Sequence, residues 1–233
     1  NAHYNPAAMT EVSGTALMSG ATFLWPSATA EIKGQDYDLK SLTFVLPHAY
    51  SSTELLKDRL WFGFSMHVPY GTGTEYPMTM PAEARFYSTS TYMESIEVSP
   101  TLALKVTDDF SLAAGPRIIW TKTTIRQQLL LPYHYEGILK HQTEAVGYGF
   151  VVSGLYHITD KLDFGLVYRS QVPEDSSGTS YGWPTGAYDL DALVTLPDSW
   201  EGGLNYHVDK DWDIGFAAIY TGWSSYRRLT LKM

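Results

Sequence analysis

Few residues of this chain have the types and spacing that catalysis or metal binding requires. Asp209, Asp211 and Asp213 have the spacing that opens a calcium-binding loop, but Ile214 stands where the sharp turn of that loop requires glycine. We therefore interpret this segment as a hairpin turn. The sequence contains no His-Glu-x-x-His metal motif and no phosphate-binding loop, and its histidines are scattered along the chain.

Composition excludes several classes of function. The chain of 233 residues has Lys+Arg 16 and Asp+Glu 25, for a net charge of -9, and it contains no basic run. A protein that neutralises phosphates needs an excess of Lys and Arg, so we expect no nucleic-acid partner. Cys 0 excludes disulfide bonds, thiolate zinc sites and cysteine nucleophiles. We therefore predict a protein that is not an enzyme and that uses no cofactor and no metal.

Hydrophobic periodicity predicts an all-β fold. Between Leu60 and Tyr70 every even-numbered residue is apolar or aromatic, whereas the odd-numbered positions include Gly63, Ser65 and His67. This period of two is that of a strand whose two faces meet different surroundings. The alternation recurs over the segments 95–107, 110–121, 146–158, 162–169, 200–208 and 214–220.

Three features favour an antiparallel transmembrane β-barrel. The even-numbered face is apolar, and the other face carries Gly, Ser and Thr with scattered Arg and Glu, which suits a polar lumen. Aromatic residues lie at strand ends, as at membrane interfaces. Tight polar turns alternate with long connections at 70–92, 131–145 and 173–190. A soluble β-sandwich or lipocalin-like barrel also alternates apolar with polar residues, so the pattern alone leaves that alternative open.

Several local strings resemble the FadL-type family of outer-membrane long-chain fatty acid transporters, which also includes toluene and xylene uptake proteins. The strings are Asn5 to Ala7, Val68 to Tyr76, Leu166 to Ser170, Leu196 to Trp200 and Ile219 to Ser224. They occur in the family's order and together cover nearly the whole chain. The resemblance implies a fourteen-stranded barrel with an N-terminal hatch, in the outer membrane of a Gram-negative bacterium.

This chain departs from that architecture in extent. We count about nine strands, so the chain resembles the end of the hatch, residues 1–11, followed by a partial barrel, residues 12–233. Asn1 is not an initiator methionine, so we expect a cut end there. The implied function is passive uptake of a hydrophobic small molecule, a fatty acid or a hydrocarbon, by a protein that contacts membrane lipid and is a monomer when complete. A general porin or a structural barrel is the alternative.

The family's hatch motif falls on Asn5, Pro6 and Ala7. Pro fixes φ, and the Asn side chain can tie neighbouring backbone groups together. The resemblance therefore implies that this segment belongs to the hatch. An ordinary turn before the first strand is the simpler interpretation.

The family's lateral opening, which a kinked third strand forms, falls on Pro69, Tyr70, Gly71 and Gly73. Pro removes a donor from the ladder and Gly favours a bulge, so pairing with a neighbouring strand should fail locally. The alternative is a strand that simply ends in its loop.

The predicted capture site lies in a long outer loop, where three consecutive leucines have no lipid to face. Exposed apolar patches usually mark a binding surface. The resemblance places a hydrophobic docking groove in this loop, with the next long loop as its facing wall, although the leucines could instead extend a strand. Arg126 and Lys140 flank the segment as candidate partners for a ligand carboxylate. The other predicted ligand-binding residues are Leu129, Leu130, Leu131, Pro132, Tyr133, Ile138, Leu139, Tyr181, Trp183 and Tyr188.

Overall fold

The computed structural model describes residues 2–130, 136–182, 186–225 and 230–232. These residues form fifteen β-strands and one short α-helix, α1 (Ala82–Tyr87), with 3₁₀ helices at Pro6–Glu11 and Trp223–Ser225. No helix in these ranges is long and apolar enough to cross a membrane. The strands are β1 (Thr15–Leu24), β2 (Thr29–Ile32), β3 (Gln35–Asp38), β4 (Phe44–Leu56), β5 (Leu60–His67), β6 (Thr72–Glu75), β7 (Ser90–Lys105), β8 (Phe110–Leu130), β9 (Glu136–Thr159), β10 (Leu162–Arg169), β11 (Val172–Gly182), β12 (Gly186–Leu196), β13 (Ser199–His207), β14 (Asp213–Thr221) and β15 (Thr230–Lys232).

Thirteen of these strands form one antiparallel sheet, and β2 and β3 form a separate hairpin. The sheet follows a path of nine neighbours in the order β1-β4-β5-β7-β8-β9-β10-β13-β14. The other four strands branch from this path. β6 pairs with β7, as β5 does, and β11 pairs with β9, as β10 does. β12 then pairs with β11, and β15 pairs with β12. The predicted all-β antiparallel fold with about nine strands is confirmed. In the described residues β1 and β14 do not pair with each other.

Side chains alternate between two faces of the sheet. In β5, β7, β8, β9, β10 and β13 the even-numbered side chains are the more exposed over most of each strand. On β9, for example, Phe150 is 50% exposed, whereas its neighbour Val151 is 3% exposed. We call the even-numbered face of these strands the outer face and the odd-numbered face the inner face. The hairpin of β11 and β12 departs from this rule, because Val172 and Glu174 are buried.

The N-terminal segment, residues 2–12, lies on the inner face. Its 3₁₀ helix packs against β5, β7, β8 and β9, and Met9 is fully buried in a cluster that includes Trp61 and Leu155. The Trp61 indole N–H donates to the Val12 carbonyl at 2.8 Å. Small inner-face residues make room for the segment, since a Cβ on Gly63 would lie 2.2 Å from the Met9 sulfur. The small-residue face of the sheet is therefore the face that holds the chain's own N-terminus.

Three segments that the sequence predicts as long loops contain regular structure instead. Residues 70–92 include β6 and α1, and β9 begins at Glu136 within the segment 131–145. Residues 173–182 lie in β11, and residues 186–190 lie in β12. The loop prediction is wrong here because the strands continue past the apolar part of the outer face. Beyond that part the outer side chains are polar, so the hydrophobic period no longer marks the strand.

Candidate functional site

Asn5 fixes the N-terminal segment to itself and to the sheet. Its Oδ1 accepts a hydrogen bond from the Ala7 N–H at 3.0 Å, and its Nδ2 donates to the Gly154 carbonyl of β9 at 3.2 Å. The Ala7 N–H also donates to Ser153 Oγ at 2.9 Å. Pro6 begins the 3₁₀ helix, a position where its missing N–H sacrifices no helical hydrogen bond. The predicted tying of backbone groups by Asn5 is confirmed.

Removing the Asn5 side chain is expected to loosen the N-terminal segment. Asn5→Ala loses both hydrogen bonds, which should weaken docking of the segment by about 1–2 kcal/mol. Asn5→Asp keeps the capping acceptor and loses the donor to Gly154, so it separates the two contributions. The measurement is the rate of proteolytic cleavage within the segment in the folded protein, with Asn205→Ala on the inner face of β13 as the control. Equal cleavage of Asn5→Ala and the control would contradict the assigned contacts.

The third strand of the path is interrupted between β5 and β6. Pairing with β7 stops at His67 and resumes at Thr72, so the four residues 68–71 face the three residues 94–96. One extra residue on one strand is the arrangement of a β-bulge. The predicted local failure of pairing is confirmed, although β5 ends at His67 and does not reach Tyr70. We call residues 68–71 the wall break.

Ser95 on β7 satisfies the backbone of the wall break. Its Oγ accepts a hydrogen bond from the Tyr70 N–H at 3.1 Å and donates to the Tyr70 carbonyl. Buried backbone groups that leave a ladder need another partner, and here one side chain partners both groups of Tyr70. Ser95 is itself buried. The wall break is therefore held by specific hydrogen bonds and is not a frayed strand end.

The absence of a side chain at Gly73 allows β4 to lie close to β6. Neither Gly71 nor Gly73 has a positive φ. A Cβ on Gly73 would lie 2.1 Å from Cζ of Phe44, whereas a Cβ on Gly71 would meet no atom closer than 3.7 Å. Because β4 pairs with β5 only from Ala49 onward, residues 44–48 border the wall break without ladder bonds to it. The aromatic ring of Phe44 therefore spans a gap in the wall.

A cavity of about 870 Å³ lies at this gap, and we call it the wall cavity. Outer-face side chains line it, among them Ile96 and Trp120, together with Val45 of β4. Residues 24–28 and Leu39, on either side of the β2–β3 hairpin, complete its lining. Most of these side chains are apolar, so the cavity suits a hydrophobic occupant.

The segment after the β2–β3 hairpin is tied to β6 beside the wall cavity. The Lys40 N–H donates to the Glu75 carbonyl at 2.8 Å, and Lys40 Nζ pairs with the Glu75 carboxylate at 2.6 Å. The Tyr92 hydroxyl donates to the same carboxylate at 2.6 Å. These contacts hold the hairpin over one end of the cavity.

A second cavity of about 490 Å³, the inner cavity, lies on the other side of the wall. Its lining includes His3 and Tyr4 of the N-terminal segment and Tyr50 of β4. The two cavities have four lining residues in common, and all four are apolar. These four residues, which we call the throat, are Leu46, Pro47, Val68 and Pro69. The throat therefore separates the inner cavity from the wall cavity at the wall break.

The charges that line the inner cavity are paired with each other. Arg117 donates to both Glu97 carboxylate oxygens at 2.8 Å and to the Ser170 carbonyl at 2.8 Å. Arg169 forms an ion pair with Glu201 and also donates to the His3 carbonyl. A guanidinium held by two carboxylate oxygens is fixed in place and electrically compensated. The inner cavity therefore offers fixed dipoles but no uncompensated arginine.

His3 contributes a neutral imidazole to the lining of the inner cavity. Burial and the neighbouring His67 imidazole, whose ring centroid lies 3.9 Å away, lower the pKa of His3 to about 3. Burial disfavours the charged form of a histidine. The imidazole of His3 therefore carries no charge at neutral pH.

The structure separates the predicted capture residues. Ile138 and Leu139 lie in β9, where consecutive side chains point to opposite faces, so they do not form one patch. Leu129 and Leu130 lie in β8 and not in a loop, and Tyr181 and Tyr188 lie in β11 and β12. The loop placement is therefore wrong for these residues, and the capture site itself stays a prediction. The predicted residues outside the described ranges are Leu131, Pro132, Tyr133 and Trp183.

The basic candidates Arg126 and Lys140 are brought together. They are direct cross-strand partners in the ladder of β8 and β9, and both lie on the outer face. Lys140 is also the ladder partner of Tyr181 on β11. Neither cation lines the inner cavity.

The segment Gly178 to Gly182 fits the Gly-x-Ser-x-Gly pattern of a nucleophile elbow, but its structure does not. That motif requires a strand-to-helix turn that exposes the serine. Ser180 instead lies within an antiparallel hairpin, is 2% exposed and has His141 as its ladder partner. The hydrogen-bond partner of His141 is the side-chain oxygen of Gln127 and not a carboxylate. The described residues therefore provide no triad here.

Sequence reasoning missed a chain of acids and imidazoles at the short-turn end of the sheet. His157 lies between Asp163, at 2.7 Å, and Glu11 of the N-terminal segment, at 3.3 Å. His207 lies between the same Asp163, at 2.8 Å, and Asp213, at 2.6 Å. Four of these residues lie near strand ends and Glu11 ends the 3₁₀ helix, so no local sequence motif indicates the cluster. In the described residues no group of His, Cys, Asp and Glu is arranged to hold a metal ion.

The predicted hairpin turn before β14 is confirmed. Asp209 Oδ1 accepts hydrogen bonds from the N–H groups of Asp211 and Trp212, at 2.9 and 3.1 Å. This is the local bonding by which aspartate stabilises a turn.

Comparison with known proteins identifies the family. The family described as outer membrane protein transport protein (OMPP1/FadL/TodX) matches residues 1–233. The chain belongs to this family. Its sheet is accordingly part of an antiparallel transmembrane β-barrel of the Gram-negative outer membrane, as predicted, and the outer face is the face toward lipid.

Relatives and solved structures agree with this assignment. The long-chain fatty acid transport protein of Escherichia coli O6:H1 is 22% identical over 282 aligned positions, which cover 100% of this chain and 62% of the relative. The crystal structure of a Pseudomonas aeruginosa FadL homologue has a TM-score of 0.81 at 19% identity and covers 99% of this chain and 66% of that one. The Ralstonia pickettii toluene transporter TbuX has a TM-score of 0.72 at 15% identity, covering 97% and 67%. This FadL-type chain thus spans about three fifths of the length of the Escherichia coli relative.

Proposed function

We propose that the protein takes up hydrophobic molecules passively across the outer membrane and releases them sideways into the membrane through the wall break. The observation that carries this proposal is the throat, where four apolar residues border the inner cavity on one side and the wall cavity on the other. A hydrophobic molecule gains nothing by entering water, so a route from an interior cavity into lipid is energetically preferable to a route down a wet lumen.

The wall break supplies the structural condition for such a route. A barrel wall is continuous wherever its ladder is complete, and backbone groups freed within a membrane must meet protein or water. Ser95 satisfies Tyr70 at the break, and residues 44–48 of β4 face it without ladder bonds. The hydrogen-bond ladder is therefore interrupted between β4 and β6 without leaving the backbone groups of Tyr70 unsatisfied.

The N-terminal segment fits the role of a hatch. It occupies the inner face at the short-turn end, where Met9 fills an apolar cluster and Asn5 is bonded to the wall. A general porin, the alternative, requires an open aqueous lumen. We assign the segment to closing the lumen against polar solutes while the lateral route stays available.

The compensated charges favour a neutral ligand in the inner cavity. Arg117 and Arg169 each have a glutamate partner, and a ligand carboxylate would have to displace one of these carboxylates from a buried pair. A hydrocarbon, or the hydrocarbon part of a longer molecule, requires no such exchange. We also propose that the ligand is captured at the long-loop end and that the complete protein is a monomer.

Filling the throat tests the lateral route. Leu46→Trp is expected to abolish uptake of a radiolabelled hydrocarbon by cells that make the full-length protein, because the larger ring occupies the only contact region that the two cavities have in common among the described residues. Leu102→Trp is the matched control, since it makes the same substitution on the outer face of β7, where Leu102 is 51% exposed and lines neither cavity. Its uptake should equal that of the unmodified protein.

Binding distinguishes a blocked route from a lost fold. Both Trp variants should bind the hydrocarbon in detergent solution and should migrate as folded barrels. Unchanged uptake by a correctly folded Leu46→Trp protein would show that the ligand does not cross the throat.

A further inference from the structure

Three cations lie on the outer face of β8 and β9, between the apolar pair Trp120 and Val146 and the long-loop end. Trp120 on β8 and Val146 on β9 are ladder partners that end the continuous apolar part of the outer face. Beyond them the even-numbered positions are Lys122, Thr124 and Arg126 on β8 and Glu144, Gln142 and Lys140 on β9. The three cations, Lys122, Arg126 and Lys140, line a shallow groove of about 420 Å³. We call these three residues the outer basic patch.

The patch contains an unfavourable pair. Arg126 and Lys140 are directly opposite each other in the β8–β9 ladder, and like charges at opposed positions destabilise a sheet. Lys122 has a carboxylate partner, Glu144, at 3.1 Å. In the part of the chain that the structure describes, Arg126 and Lys140 form no ion pair. Glu94 contributes one negative charge to the groove, so the groove retains a positive excess that an external anion would neutralise.

The distance of the outer basic patch from the hydrocarbon layer determines which kind of anion can reach it. With the rise and tilt of barrel strands, Lys122 lies about 5 Å and Arg126 about 15 Å beyond Trp120. A phospholipid headgroup layer is only about 5–8 Å thick, so it reaches Lys122 and not the opposed pair. A bulkier headgroup, in which phosphates are carried on sugars, reaches both levels.

We propose that the outer basic patch binds the phosphate groups of a phosphorylated glycolipid in the outer leaflet. Arg126 offers a planar fork to phosphate oxygens, and Lys140 and Lys122 offer point charges. Apolar residues lie directly below on the same face, so the acyl chains of the bound lipid meet Trp120 and Val146 while its headgroup meets the cations. This assignment rests on the position of the patch in the membrane and is independent of the transport route.

The test compares phosphorylated and dephosphorylated lipid. The full-length protein in detergent is incubated with bisphosphorylated lipid A, with dephosphorylated lipid A or with inorganic phosphate, and bound lipid is counted by native mass spectrometry. The unmodified protein should retain bisphosphorylated lipid A and lose the dephosphorylated form. Arg126→Gln with Lys140→Gln should weaken retention at least about tenfold, because each basic group near a lipid surface contributes a comparable increment.

Matched controls remove the same charge elsewhere. Lys57→Gln with Lys210→Gln deletes two exposed cations at the short-turn end and should leave retention unchanged. Arg126→Lys keeps the charge but not the fork, and intermediate retention would support the assignment. Equal retention of the dephosphorylated lipid, equal retention by the Arg126 and Lys140 double variant, or displacement of the lipid by an equal concentration of inorganic phosphate would overturn it.

Discussion

Glu97→Gln is expected to lower the free energy of unfolding by about 3–5 kcal/mol, because it leaves Arg117 buried without its counter-charge. Glu97 and Arg117 are 2% and 3% exposed. The glutamate accepts two hydrogen bonds from the guanidinium and a third from the Ser99 hydroxyl. The amide of Gln accepts at one oxygen only and carries no charge, so the arginine loses both a bond and the compensation of its charge.

The matched control is Glu144→Gln, which removes the carboxylate of an exposed ion pair with Lys122. Exposed pairs contribute about 0–1 kcal/mol, so this variant should be nearly neutral in urea titrations of the protein folded in lipid vesicles. Removing both buried charges, by Glu97→Gln with Arg117→Met, should recover much of the loss, since a buried pair can often be replaced by apolar side chains. A Glu97→Gln cost no larger than that of Glu144→Gln would show that water reaches the pair.

The two faces of the wall could be predicted from sequence because the bilayer acts on every spanning strand alike. Leu60 to His67 and their counterparts on β7 to β10 meet lipid on one side and small or polar neighbours on the other, so a period of two persists. The N-terminal segment could be placed because Asn5 and Pro6 act locally, through a cap and a fixed φ.

The cavities and the ion pairs could not be predicted because they depend on register. Glu97 and Arg117 meet on the inner face only in the observed pairing of β7 with β8, and a slip of one residue would turn every side chain of a strand to the other face. The contact of Phe44 with Gly73 joins two strands that share no ladder bonds. The position of the wall break could therefore be predicted from the sequence, but the approach of Phe44 to it could not.

The loop placement of the capture residues was wrong for a different physical reason. Ile138 and Leu139 read as one apolar pair along the chain, but β9 continues past the membrane and turns them to opposite faces. Outside the bilayer both faces of a strand meet water or protein, so the hydrophobic period no longer distinguishes a strand from a loop. Arg126 and Lys140 are separated in sequence and become neighbours only through the β8–β9 ladder.

Phe150→Arg is expected to destabilise the folded barrel in a bilayer by about 2–4 kcal/mol, which is the cost of a cation on the lipid face near the midplane. Phe150 lies midway along the apolar outer face of β9 and is 50% exposed. Its ring also meets the Tyr168 ring edge-on at 5.8 Å. Phe150→Ala measures the loss of the ring, both its contact with Tyr168 and its burial in lipid, so the difference between the two variants reports the cost of placing the arginine there.

Ile158→Arg is the depth control, because it stands on the same strand and the same face but next to the short-turn end. There the cost should fall to about 0–1 kcal/mol, since the side chain reaches the interface. An inner-face position would be a poor control. Ser153 is 3% exposed and its hydroxyl accepts the Ala7 N–H, so an arginine there would displace the N-terminal segment whatever its charge. Equal costs for Phe150→Arg and Ile158→Arg in vesicle folding titrations would contradict the placement of the even-numbered face toward lipid, because only a bilayer makes the penalty depend on depth.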